Sequence, residues 1–196
     1  YVKENFNHKE NVVRYTGLAR FDNLHDFRTK NQILIMPTWR SYLSQYDEKR
    51  FKLSDYYNNY NSLLNDERLI GILEEYNYEL LFYPHYEMHK FIHLFKTSSE
   101  RIKIGNTNMD VQNMLKESKL LITDYSSVFF DFAYMFKPMI YYQFDKSEFI
   151  EKHYQKGYFD YDNMGFGVTV LTINELIKEI QNSIKNNCIL EFKYTN

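Results

Sequence analysis

The stretch Thr-Asp-Tyr-Ser-Ser, residues 123 to 127, stands between an apolar run and a helical apolar pattern, and its side chains suit an anion. If Ser126 caps the helix, the amides of Ser127, Val128 and Phe129 are left without helical partners, with the positive end of the helix dipole behind them. The Ser126 and Ser127 hydroxyls add neutral donors for a phosphate. Asp124, at the strand end, can orient the loop or a ligand hydroxyl. Asp131 lies one turn past Ser127 on the same side of the helix, where a carboxylate can accept hydrogen bonds from the vicinal hydroxyls of a ribose. A plainer reading stands beside this one: Ser-Ser is an ordinary cap, Asp131 is an acid favoured by the dipole, and nothing binds.

Such a loop needs a scaffold that aims it. Short apolar runs at 32–37, 79–84, 101–105, 119–123 and 138–144 read as strands, two of them bounded by Pro37 and Pro84. Between them lie helical patterns: two helices in 54–76 broken near Asn65-Asp66, one after His85, one at 110–118 with Asp110 at its start, and one at 175–187. The helix after Ser127 carries Val128, Phe129, Phe132, Ala133 and Phe136 as its expected buried stripe. Strands alternating with helices predict an α/β fold, a doubly wound parallel sheet of Rossmann-like form, whose ligands bind beyond the carboxyl ends of the strands. We expect a lead-in or interdomain segment at 1–30 and one nucleotide-donor-binding domain at 31–196.

Composition narrows the function classes. A formal charge of −2 and the lack of a basic run argue against nucleic acid as partner. The lone Cys188 cannot form an internal disulfide, which fits a reducing compartment. No apolar segment approaches the roughly 18 residues of a membrane span. The 18% aromatic share is explained either by compositional bias, since Asn and Lys are also abundant, or by an aromatic binding surface. His85, His89 and His93 at four-residue spacing superficially suggest metal ligands, but no Cys or carboxylate spacing accompanies them, so no metal site is expected. A chain that opens on Tyr1 is expected to be an excised fragment.

The run "LLITDYSSVFFDFAYMFKPMIYYQFD", with "TGLARFDNL" and "PTWR" upstream and "GYFDYDNMGFG" downstream, resembles the CDP-glycerol glycerophosphotransferase family of teichoic acid polymerases and primases. The likeness runs from about Thr16 to Gly167, with the motifs in family order. It implies the carboxyl-terminal, donor-binding half of a glycosyltransferase-B (GT-B) fold, with the amino-terminal acceptor half absent. It also implies a transferase that passes glycerol phosphate from a CDP-linked polyol to a growing polymer and releases CMP. By the same resemblance, Asp124, Ser126 and Ser127 form the pyrophosphate loop and Asp131 is the ribose acid. "PTWR" places Thr38 and Arg40 near the donor phosphates, and His85 is the strand-end histidine. Tyr86 stands where the family often has proline after that histidine, and Ala19 where proline is more frequent.

That assignment makes chemical sense, because phosphoryl transfer asks for positioning and charge neutralisation. Arg40 would offer a planar fork to phosphate oxygens, and His85 a proton to the leaving group or a general acid. Trp39 either stacks on cytosine or packs under the loop. No cofactor is required beyond the CDP-glycerol substrate, although magnesium is compatible with it. The general base is expected on the absent half, so the fragment should bind donor and be inactive alone. The intact protein is expected to be cytoplasmic and peripheral at the inner membrane face, where its lipid-linked acceptor lies. A sugar-nucleotide GT-B glycosyltransferase, or a noncatalytic nucleotide-binding module, remains the alternative.

Overall fold

Apolar runs of four residues make strands here because the sheet is covered on both faces, so both sides of each strand profit from burial. The computed structural model describes residues 12–14, 16–153 and 159–194. Its strands are β1 (Gln32–Ile35), β2 (Glu79–Phe82), β3 (Ile102–Ile104), β4 (Leu120–Thr123), β5 (Met139–Tyr142) and β6 (Val168–Val170). Every neighbouring pair is parallel, in the order β3-β2-β1-β4-β5-β6. The doubly wound fold expected from the alternation is therefore present, with its topological switch between β1 and β4. β6 was not expected; of its three residues only Val170 is buried, and so short a run leaves no periodic signal.

The helices are α1 (Glu48–Phe51), α2 (Asp55–Leu64), α3 (Glu67–Glu75), α4 (Val111–Glu117), α5 (Phe129–Tyr134), α6 (Lys146–Lys152), α7 (Tyr161–Met164) and α8 (Ile173–Lys185). Their starts follow from side-chain caps. Ser54, Asp66 and Asp110 each accept from an amide of the first turn, which also breaks α2 from α3 where expected. Thr172 and Glu175 close a capping box on α8. Side chains alternate across the sheet. Ile33 and Ile35 face the core under α2, α3 and α8, whereas Leu34 and Met36 face the core under α4 and α5. Buried tyrosines, among them Tyr56, Tyr60, Tyr141 and Tyr142, place part of the aromatic excess in the core.

Two local expectations change. The segment after His85 is a 3-10 run, Tyr86–Leu94, with Met88, Phe91 and Leu94 buried at intervals of three. The stripe on α5 stops short of Phe136, which is 70% exposed. Phe136 takes φ +54° just past the helix, with its amide on Ala133 O and that of Lys137 on Phe132 O, which is a Schellman closure. Lys137 then turns inward. Its ammonium donates to the carbonyls of Leu115, Lys116 and Ser118 at the end of α4, and burial pulls its pKa down to about 7.

Residues 1–11 and 15 of the lead-in lie outside the described residues. Farther along, the lead-in packs on the domain: Leu24 is 2% exposed within the α4–α5 core.

Candidate active site

The carboxyl ends of β1, β2 and β4 are tied together by their own exits. After β1, Pro37 ends the strand and the Thr38 amide donates to Asp124 Oδ1 at 2.8 Å, across the switch point. The same oxygen accepts from the Tyr125 amide at 2.6 Å. After β2, the His85 amide donates to Pro37 O at 3.2 Å. Gln143, leaving β5, donates through Nε2 to Asp124 O at 3.1 Å. Asp124 is thus a staple among three strand exits, and it is fully buried.

Arg40 is the second staple, and in this structure its guanidinium faces carboxylates inside the protein. Its side chain is 0% exposed. Nε and Nη2 fork onto Asp145 at 2.7 and 3.0 Å, and Nη2 also lies 2.8 Å from Asp124 Oδ2. Nη1 donates to Thr38 O at 2.8 Å and reaches Trp39 O at 3.4 Å. Hydrogen bonds thus engage Nε, Nη1 and Nη2, while Asp124 Oδ2 meets the guanidinium as a close ion pair outside hydrogen-bond geometry. The rings of Tyr56, Tyr125 and Phe149 close around it at 5.3, 5.2 and 4.7 Å. Burial works against its charge, but Asp124 and Asp145 outweigh burial and hold Arg40 above its ordinary value. Burial pushes the Asp145 carboxyl up with Arg40 pulling against it, and the fork geometry is that of a carboxylate.

His85 stands at the rim. The Glu87 amide donates to its Nδ1 at 3.3 Å, which leaves the proton of the neutral ring on Nε2. Burial lowers its pKa below the usual 6.5, with Glu87 and Asp124 opposing and His89 reinforcing. Trp39 lies between two imidazoles, stacked on His85 at 6.1 Å and edge-on to His153 at 5.1 Å, and packs against the β1 core. Trp39 thus makes packing contacts with its neighbours in this structure. The other histidines turn elsewhere, His89 to Pro84 O and His93 to Glu48, because a 3-10 run does not align four-residue spacings. Among the described residues, no cluster of three or more His, Cys, Asp or Glu could hold a metal.

The serine loop differs from its expected form. The helix begins at Phe129, with Val128 in the cap position and no side-chain cap. Ser126 Oγ lies a long 3.5 Å from the Val128 amide, while Ser126 O accepts from the Phe129 amide and Ser127 O from that of Phe130. The Phe129 amide expected to be free is thus occupied. Ser126 is half-buried and Ser127 exposed, so both hydroxyls stay at the rim. Asp131 is sealed from above: its side chain is 9% exposed and pairs with Arg20 Nη2 at 2.9 Å. Burial raises its pKa and Arg20 opposes that.

Sequence reasoning missed Asp145, His153 and Arg20. Asp145 had a signal, an acid directly after an apolar run, as at Asp124. His153, whose Nδ1 accepts the Ser41 amide at 2.8 Å, follows α6, which has no strong periodicity. Of "GYFDYDNMGFG", Gly157 and Tyr158 lie outside the described residues; Tyr161 meets Tyr125 edge-on at 6.1 Å, which puts the stretch beside the rim. Its later glycines serve close approach, since a Cβ at Gly165 or Gly167 would collide with the carbonyl of Tyr161 or Met139. Thr38, His85, Asp124, Ser126 and Ser127 share one rim, and hollows also open elsewhere on the described surface. One of about 380 Å³ opens among Tyr42, Tyr46, Arg50 and Glu148, and another of about 520 Å³ between Leu24–Phe27 and Tyr134–Phe136. No helix among the described residues is long and apolar enough to cross a membrane.

Comparison with known proteins shows the family and the fold. The family model described as CDP-Glycerol:Poly(glycerophosphate) glycerophosphotransferase matches residues 1–195. The minor teichoic acid biosynthesis protein GgaB of Bacillus subtilis is 38% identical over 203 residues, covering 98% of this chain and 22% of that protein. A teichoic acid poly(glycerol phosphate) polymerase of Bacillus spizizenii is 30% identical, covering 92% of this chain and 43% of that one. The chain thus spans less than half the length of either relative. The solved structure of the wall teichoic acid polymerase TagF superposes with a TM-score of 0.60 over 86% of this chain and 39% of that one, at 22% identity, a likeness of fold.

Proposed function

Because this chain belongs to the CDP-glycerol:poly(glycerophosphate) glycerophosphotransferase family, we propose that it is the donor-binding part of a transferase moving glycerol phosphate, or a related polyol phosphate, from a CDP-linked donor to a teichoic acid or capsule-type polymer. The acceptor oxygen forms a bond to the phosphorus of the glycerol phosphate as the bond from that phosphorus to CMP breaks, and CMP leaves with the electron pair. Developing negative charge on the leaving oxygen is what the site must offset.

The observation that carries this reading is the coupling of the β1, β2 and β4 exits at the switch point, through Thr38 to Asp124 and His85 to Pro37. Ligands of doubly wound sheets bind in that crevice. Thr38 Oγ1 adds support: it is buried with no partner among the described residues, so a phosphate oxygen would satisfy it. In this reading Thr38, Ser126 and Ser127 donate to the diphosphate. His85, with its proton on Nε2, donates to the leaving phosphate and gains charge as the anion approaches. Arg40, Asp124 and Asp145 fix the loops and touch no substrate. No metal is needed. The acceptor, a lipid-linked polymer at the inner face of the cell membrane, is met outside the matched region, in the part that the longer relatives carry.

Calorimetric titration of the chain with CDP-glycerol, CDP-ribitol, CDP, UDP and a UDP-sugar tests this. CDP and a CDP-polyol should bind more tightly than UDP, and EDTA should leave the affinities unchanged. Tight UDP-sugar binding with no response to CDP would overturn the reading in favour of a sugar-nucleotide glycosyltransferase.

A further inference from the structure

A diphosphate donor needs cationic donors, and the two buried basic groups among the described residues, Arg40 beside the serine loop and Lys137 beyond the far end of α5, are already committed. Arg40 faces two carboxylates inside the protein, and the Lys137 ammonium is held by three carbonyls. Arg20 differs. Its Nη2 lies 2.9 Å from Asp131 Oδ2 and 3.4 Å from Ser127 O, so its guanidinium touches the serine loop itself. Its side chain is 45% exposed, against 9% for Asp131. The contacts fall on Nη2, which leaves the N–H groups of Nε and Nη1 without partners among the described residues.

The position is also fixed in advance. Gln112 Nε2 donates to Arg20 O at 3.1 Å, the neighbouring Phe21 stacks on Tyr134 of α5 at 4.6 Å, and Leu24 anchors the segment in the core. A guanidinium held this way loses little freedom when it meets an anion. Asp131, in turn, cannot accept ribose hydroxyls while Arg20 covers it.

We propose that Arg20 binds the diphosphate of the donor through its outward N–H groups, and that Asp131 is a positioning residue acting through Arg20 rather than the ribose acid. This rests on the reading of the rim as a CDP-linked donor site.

The test titrates CDP and cytidine into the chain and into Arg20→Met, Arg20→Lys, Asp131→Asn and the Arg20→Met/Asp131→Asn double variant, with melting curves to confirm folding. CDP affinity should fall at least about tenfold in Arg20→Met and lose part of its salt dependence, with partial recovery in Arg20→Lys. Cytidine affinity should not change. Asp131→Asn should cost less than Arg20→Met, and the double variant no more than Arg20→Met. Arg20→Met binding CDP within about twofold of the parent chain, with a folded melt, overturns the proposal alone. So does Asp131→Asn losing cytidine and CDP equally. A parent chain that binds no cytosine nucleotide overturns both the donor reading and this proposal.

Discussion

Two arginine–carboxylate contacts flank the same loop, and they differ in what can reach them. Arg40 with Asp124 and Asp145 is sealed at 0 to 2% side-chain exposure, while Arg20 with Asp131 lies open on its arginine side at 45%. The chemical groups are the same. Burial turns one into scaffold, because every donor must be matched inside, and leaves the other with donors to spare.

Breaking the sealed contact should have the largest consequence. Arg40→Met leaves two carboxylates buried without a cation, so we expect a loss of about 3–5 kcal/mol in denaturant unfolding. An unfolding midpoint close to that of the parent chain would show that the network is not structural.

Acid should act next, through the partly buried histidines beside the sealed contact. Burial lowers His85, with Glu87 and Asp124 opposing it and His89 adding to it; burial likewise lowers His153, with Arg40 and His85 adding and Asp124 opposing. Between the ordinary value of 6.5 and the lower folded values, the unfolded chain holds more protons. The stability from these neutral rings is therefore full above pH 6.5 and is lost as pH falls through the folded values. Unfolding midpoints measured across that range should drop, and His85→Gln should flatten the drop. An unchanged slope in that variant would place the titration elsewhere.

The open contact should tolerate disturbance. Asp131→Asn is expected to change stability by under about 1 kcal/mol, because a half-exposed ion pair contributes little and burial already disfavours that carboxylate. A loss comparable to that of Arg40→Met would erase the distinction between the two contacts. Smallest of all, Phe136→Gly at the far end of α5 should stabilise the chain by roughly 0.5 kcal/mol by relieving the left-handed backbone at φ +54°, visible as a slight rise in melting temperature.

The five apolar runs were legible as strands since burial on both faces removes the need for alternation, and the caps at Ser54, Asp66 and Asp110 marked helices from composition alone. The motif order likewise carried the family. β6 and α6 were not legible, being short and weakly periodic, and Asp145 and His153 were missed with them.

What the sequence determined by itself was therefore the sheet, its winding and the chemical types at its carboxyl rim, because these follow from local apolar pattern and from residues at strand exits. Which arginine lies under the rim and which lies open to solvent was decided only by tertiary structure. Arg20 and Arg40 are equally basic in the chain, and their difference comes from residues more than a hundred positions away: Asp131 for one, Asp145 for the other. A local pattern cannot report such distant partners, nor the rings of Tyr125 and Phe149 that close over Arg40 and shut out water.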